Sequence, residues 1–289
     1  MQTRRRRPVL KWAGGKTQLL GQILPLLPDH VETYYEPFLG GAAVFFELAA
    51  QDRFEKAVLA DKNQELVAVY RAIKDDVEKL ILQLLPLKER HSEAFYYEVR
   101  ASIPRNRFAR AARFIYLNKT GYNGLYRVNS KGAFNVPFGR YKNPAICDAA
   151  NLRASALLLQ KAEILHLDFE EVCGKARKGD AVYLDPPYLP VSKTSNFTSY
   201  QADGFPMLEH ERLGQVFQHL AKRGVQAVLS NSCTPETKAL YADFTCRMVP
   251  ARRAINSQGH GRGVVQEILV STYESKISTK KKPSSSRSR

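Results

Sequence analysis

The most pointed chemistry in the chain lies in Asp185-Pro186-Pro187-Tyr188, which completes the apolar run Ala181 to Asp185, AVYLD. It offers a carboxylate, a proline carbonyl with no competing local N–H, and an aromatic face. These suit an exocyclic amino group on a planar ring. Asp185 and the Pro186 carbonyl can accept its two N–H bonds while Tyr188 stacks on the ring. The plain alternative is a proline-rich turn that ends a strand. A second candidate is Glu36 to Val44, EPFLGGAAV. Glycines at a strand–helix turn let the backbone approach a ligand closely, and Asp61 follows Gly41 by 20 residues at the end of AVLAD. An acid there suits the hydroxyl pair of a ribose. The incomplete GxGxxG disfavours a dinucleotide dehydrogenase, and a simple tight turn would use the same glycines. A third candidate is Lys11 to Lys16, KWAGGK, which holds the single tryptophan, Trp12. It could cover an aromatic, charged ligand; alternatively Trp12 is core and the lysines face solvent.

Such groups need elements to hold them. Short apolar runs recur at Thr33 to Glu36, Ala57 to Asp61, Glu163 to Asp168, Ala181 to Asp185 and Val225 to Asn231. Helical stretches separate them: Lys62 to Leu84, Ala150 to Gln160 and Leu208 to Lys222. The pattern predicts an α/β fold with a mostly parallel, doubly wound sheet. Phe244 to Ala251 and Val264 to Tyr273 are expected as an antiparallel hairpin at one edge. From about Leu84 to Pro144 the alternation stops, and Gly, Asn, Pro, Tyr and Phe crowd into loops and hairpins. The expected division is a catalytic domain of residues 1–69 and 145–275, an inserted module of residues 70–144, and a disordered basic tail of residues 276–289.

Charge supports a polyanion partner. The 289 residues carry a formal +16, and the four cysteines form no CxxC pair, which fits a reducing, cytoplasmic setting and disfavours a zinc ribbon. No apolar run approaches the ~18 residues of a membrane span, and no apolar segment follows Arg4 to Arg7 as a secretory signal would require. Val99 to Cys147 holds ten Lys and Arg and no acid. Nucleic acid is the commonest polyanion, and a solvated basic surface is the plain alternative.

In order, KWAGGK, EPFLGG, Asp61-Lys62-Asn63, LNKTGYNGLYRVNSKGAFNVPFGRYKNP and DPPY resemble the Dam family of DNA adenine-N6 methyltransferases over about residues 8 to 273, SNFTSY included. The resemblance implies a Rossmann-like S-adenosylmethionine methyltransferase sheet with an inserted helical and hairpin DNA-recognition domain. It implies S-adenosylmethionine as donor, no metal, double-stranded DNA as partner, no obligate protein partner, and a cytoplasmic, nucleoid-associated enzyme. By that similarity Trp12, Lys16, Phe38, Gly40, Gly41, Asp61, Asp168 and Asp185 meet the donor. Asp185, Pro186 and Tyr188 form the catalytic corner. Lys11, Tyr122, Asn123, Leu125, Arg127 and Pro137 line the DNA, with Arg140, Tyr141 and Lys142 near phosphates. Apart from the similarity, a second acid-free stretch, Arg247 to Gln266, with Arg252, Arg253 and Arg262, is expected to grip backbone. The expected target is GATC, with the adenine rotated out of the helix. Tyr126, beside Arg127, departs from the family pattern.

Other readings keep the fold. The same corner serves cytosine-N4, RNA and protein-glutamine methyl transfer, although the basic insert disfavours a glutamine substrate. A DNA-binding protein with an inactive methyltransferase fold is the remaining alternative, and an intact Asp61, Asp185 and Tyr188 argue against it.

Overall fold

Five parallel strands and one antiparallel pair form the framework of the computed structural model, which describes residues 8–189, 205–252 and 264–274. The strands are β1 (Val31–Glu36), β2 (Phe54–Ala60), β3 (Ala162–Leu165), β4 (Ala181–Leu184), β5 (Gln226–Ser232), β6 (Thr245–Arg252) and β7 (Val264–Ser271). They make one sheet in the order β3-β2-β1-β4-β5-β7-β6. β1 to β5 pair in parallel, and β7 runs antiparallel to both β5 and β6. The expected class and the edge hairpin are therefore present. Arg4 to Arg7, SNFTSY, Arg253, Arg262 and the basic tail lie outside the described residues.

Successive strand residues feed two cores. Tyr34, Leu59, Tyr183, Val228 and Leu269 face one; Tyr35, Val58, Val182, Leu229 and Ile268 face the other. A sheet covered on both faces explains why its strands read as continuous apolar runs. The first face is covered by α1 (Leu20–Ile23), α2 (Ala43–Ala50), α3 (Gln64–Asp75), α4 (Val77–Glu89), α5 (Glu93–Ala101), α6 (Arg107–Thr120) and α7 (Ala149–Leu159). α8 (Phe169–Lys175) and α9 (Met207–Lys222) cover the second, followed by the short α10 (Pro235–Leu240).

Two expectations need correction. Lys62 to Leu84 is not one helix: it breaks at Asp76, whose extended backbone (φ −160°) ends α3. The Asp76 side chain accepts the Lys79 N–H at 3.0 Å to start α4, a stop-and-restart that a capping carboxylate favours. Position 70, the expected edge of the insert, thus falls inside α3. Glu163 to Asp168 is not all strand either. β3 ends at Leu165, and Asp168 instead caps α8 by accepting the Glu170 N–H at 3.0 Å.

Helices of the 70–144 segment join the first core. α6 packs against both α3 and α4, and Phe108, Phe114, Ile115 and Leu117 join the same apolar cluster as the sheet. Beyond α6 the chain forms a small irregular hairpin, with bridges between Gly121 and Phe138 and between Val128 and Phe134. α5 braces it: the Tyr96 hydroxyl donates to the Val136 carbonyl at 2.9 Å.

The order of the strands also fixes where a site can form. From β1 the chain adds β2 and β3 to one side, whereas β4 and β5 extend the other. β1 and β4 are neighbours, so the strand order reverses between them. The carboxyl ends of strands at such a reversal bound the crevice in which open α/β sheets bind ligands.

Candidate active site

The sequence element after β1 is the glycine turn, and the element after β4 is Asp185-Pro186-Pro187-Tyr188, so both flank that reversal. Asp185 follows the last residue of β4 and is clamped through one oxygen. Its Oδ1 receives Lys16 Nζ at 2.8 Å and the Ser230 hydroxyl at 2.8 Å. Among the described residues, both of these contacts go to Oδ1 rather than Oδ2. Lys16 is 4% exposed, and a buried cation needs such a partner. It also donates to the Gly14 carbonyl at 2.5 Å and lies 4.6 Å from the centre of the Tyr188 ring. The Tyr188 hydroxyl donates to Glu267 Oε2 at 2.6 Å. Burial first, then the neighbouring negative charges, push its phenol well above the usual range. Tyr188 therefore stays neutral, with an aromatic face and an O–H to donate.

Ser230 ties this corner to a second buried group. Its hydroxyl and that of Tyr183 lie 2.9 Å apart. Glu36, at the end of β1, accepts from the Tyr34 hydroxyl at 2.7 Å. Burial pushes the Glu36 carboxyl up to about 8, opposed by the Tyr34 hydrogen bond and reinforced by the charge of Asp185.

The glycine turn requires its glycine. Gly40 has φ +45°, and a Cβ there would meet Trp12 Cδ1 at 2.9 Å. Its N–H donates to Asp61 Oδ2 at 3.1 Å, and the Asn63 N–H donates to Asp61 Oδ1 at 2.9 Å. Burial raises the Asp61 carboxyl, and those two N–H groups oppose the rise. Each oxygen retains a lone pair. Trp12 closes the turn from above, stacked on Tyr126 at 6.0 Å and Phe114 at 6.4 Å. That packing gives Tyr126 an inward role.

Asp168 sits in a different environment from the other expected residues. Arg212 grips it in two-pronged fashion, at 2.8 Å and 2.9 Å, and Lys62 Nζ reaches Oδ2 at 2.8 Å. Burial acts to raise its carboxyl, but the Arg212 and Lys62 hydrogen bonds prevail and hold it well below the usual carboxylate range. Arg212 lies 4.2 Å over the ring of Phe169, and Phe169 stacks on Phe38 at 5.3 Å.

The profile of the D12 class N6 adenine-specific DNA methyltransferases matches residues 12–255. The chain belongs to that family. It is an adenine-specific DNA methyltransferase. It is 43% identical over 275 residues to Type II methyltransferase M1.LlaDCHI of Lactococcus lactis subsp. cremoris, across 92% of this chain and 95% of the relative. The same identity, over 286 residues, links it to Type II methyltransferase M.MjaIII of Methanocaldococcus jannaschii, across 92% and 99%. DNA adenine methylase of Escherichia coli (strain K12) is 35% identical over 283 residues, across 96% and 100%.

In this methyltransferase the expected reading residues gather at the irregular hairpin. Lys11 lies directly against the turn at Gly124 (φ +63°), where a Cβ would meet its own Cβ at 2.5 Å. Asn118 locks the two segments together, accepting the Lys11 N–H at 2.8 Å and donating to the Lys11 carbonyl at 2.6 Å. Lys11 Nζ sits 3.7 Å over the Tyr141 ring. Tyr122 is exposed, and its N–H donates to the Pro137 carbonyl at 2.9 Å. Asn123 and Arg140 take left-handed backbone angles, Leu125 is half-buried, and Lys142 is exposed. Exposed Arg127 is held across the hairpin by Asn135, with Nε 2.7 Å from Oδ1.

Sequence reasoning missed Ser230, Glu267, Lys62 and Arg212. Glu267 carried a signal, an acid inside the apolar run VVQEILV. So did Ser230, in the polar pair closing VQAVLSN. Arg212 carried none, because α9 reads as an ordinary amphipathic helix.

Proposed function

We propose that this methyltransferase transfers the methyl group of S-adenosylmethionine to N6 of an adenine rotated out of duplex DNA, with GATC as its target. The observation that carries the reading is the Lys16–Asp185–Tyr188 constellation beside the Gly40–Asp61 turn at the sheet's reversal point. The residues fit the donor: the open lone pairs of Asp61 suit ribose hydroxyls, and Trp12 covers a turn whose backbone can come close to a ligand. When bound, S-adenosylmethionine supplies an electrophilic methyl group on a sulfonium.

The chain's own residues do the rest. An adenine amino nitrogen is a poor nucleophile because its lone pair is delocalised into the ring. Asp185 Oδ2 and the Pro186 carbonyl accept its two N–H bonds and favour a pyramidal nitrogen whose lone pair can attack. Lys16 and Ser230 fix the carboxylate through Oδ1, so its charge is already aimed where positive charge develops. Tyr188 stacks on the extruded base. Extrusion costs a few kcal/mol, and stacking returns about 1–3 kcal/mol. The methylated nitrogen can lose its proton afterwards, so Asp185 need not be a strong base.

The segment from α4 to residue 144 serves as the reader, and the sheet with its flanking helices, α3 included, as the catalytic part. Arg127 suits the two-pronged contact to guanine O6 and N7, and Arg140 and Lys142 suit phosphates. The GATC assignment rests on the resemblance of YNGLYR and FNVPFGRY to the Dam family. Site of action is the cytoplasm, on the nucleoid. Resistance of treated plasmid to a nuclease blocked by GATC methylation tests the target. Continued cutting despite methyl incorporation rejects GATC.

A further inference from the structure

We infer that Glu267 is a positioning residue for methyl transfer, acting through the hydroxyl of Tyr188 to hold that ring where an extruded adenine stacks. This rests on the reading of Tyr188 as the stacking face. Glu267 lies in β7, where its Cα pairs with Ser232 of β5 on one side and Val249 of β6 on the other. Strand residues held on both sides have little freedom, so the carboxylate is a fixed point. Its Oε2 accepts the Tyr188 hydroxyl at 2.6 Å, in the range of a short, charge-assisted bond.

Two further contacts, both from β5, pin the next residue. The Leu189 N–H donates to Asn231 Oδ1 at 3.3 Å, and the Ser232 hydroxyl donates to the Leu189 carbonyl at 2.7 Å. The backbone just beyond Tyr188 is thus fastened to β5 and the tip of its side chain to β7. A Tyr ring turns about its Cα–Cβ and Cβ–Cγ bonds. Anchoring the hydroxyl, which lies on the Cβ–Cγ axis, removes the first of these freedoms and fixes where the ring sits; turning about the second axis leaves the hydroxyl in place and is limited by what packs against the ring face, Lys16 among it. On the other side Lys16 lies 4.6 Å from the ring centre and 2.8 Å from Asp185. Ring, cation and carboxylate therefore keep one relative placement before any base arrives. A misplacement of about 1 Å at such a site can cost about a hundredfold in rate. The strand that separates β5 from the sheet edge thus contributes directly to the geometry of a corner that lies after β4.

The test is a double-mutant cycle on single-turnover methyl transfer by the full chain to a duplex with adenine at the target position, with a second duplex that carries 2-aminopurine there, a base without a 6-amino group, for a parallel fluorescence reading. Glu267→Ala and Tyr188→Phe should each slow transfer by about tenfold or more, with KM for DNA little changed. The double variant should be no slower than either single one, because both remove the same bond. Glu267→Gln, which keeps an acceptor oxygen, should restore most of the rate. Additive losses, or a wild-type rate in Glu267→Ala, overturn the inference. If Glu267→Ala does not fold, Tyr188→Phe and Glu267→Gln decide alone: wild-type transfer by Tyr188→Phe, or equal losses in both, contradicts it. A wild-type enzyme that gives no rise in 2-aminopurine emission speaks against extrusion of the base, and the rate cycle then still decides Glu267.

Discussion

Asp185 commits Oδ1 to Lys16 and Ser230, and in the proposed mechanism Oδ2 takes the substrate amino group. Asp185→Asn keeps the shape but loses the charge. It should therefore lower methyl incorporation by about 10²–10³-fold, the usual cost of removing one preorganised electrostatic contact, with the fold intact by circular dichroism. Glu36 makes a separate prediction about stability. Burial raises its carboxyl to about 8, so the folded state holds the proton more tightly than the unfolded state. The stabilisation is fully present below the ordinary carboxylate value and is lost as pH rises through about 8, on the order of a few kcal/mol. Denaturant midpoints of the wild type should fall on the alkaline side relative to Glu36→Gln; parallel curves would contradict this. His210 acts in the opposite sense. Burial holds its imidazole down to about 4, so its contribution is present above the ordinary value of 6.5 and fades as pH falls through about 4.

Elements matter here through the way Trp12 joins two of them. Its ring covers the Gly40 turn after β1 and stacks on Tyr126 and Phe114 of the insert. Being the only tryptophan, it is also a natural reporter. S-adenosylmethionine should change its emission, and Gly40→Ala should weaken that response at least tenfold. The added methyl would meet the ring at 2.9 Å on a backbone angle that L residues resist. An unchanged titration curve would refute the close packing. The strands and their carboxyl-terminal acids were legible in the sequence because a doubly covered sheet writes long apolar runs. The break at Asp76 was less so: apolar periodicity runs through it, and only the capping geometry ends α3 there. Asp168 was expected from the sequence beside the donor, but its capture by Arg212 and Lys62 depends on α9 packing beside α8, and sequence spacing does not report that contact. The clamp on Asp185 escaped for the same reason, since Lys16, Ser230 and Asp185 come from three distant segments.

Over the whole molecule, the basic segment is less uniform than its charge count suggests. Arg107 pairs with Asp75 at 2.6 Å and Arg110 with Glu65 at 3.3 Å, both on α3. Arg113 donates to the Val99 and Arg100 carbonyls, and Arg100 to that of Val136. These four side chains have partners within the fold. Arg127, Lys131, Arg140 and Lys142 are exposed at the hairpin. Neutralising Arg140 and Lys142 together should therefore reduce the slope of log affinity for DNA against log salt by about two, whereas Arg107→Gln should change it little. Arg127→Ala should instead relax discrimination among target sequences, at about 1–3 kcal/mol for the base it reads. An Arg107 variant with the larger loss of slope would show that the charge is divided differently.

The role of Asp185 is decided by transfer of tritiated methyl from S-adenosylmethionine to plasmid DNA by the wild type and by Asp185→Ala, followed by digestion to nucleosides. The wild type should place its label in N6-methyladenine, and Asp185→Ala should leave the DNA at background. Label in another base, or equal labelling by both proteins, would contradict a mechanism centred on Asp185.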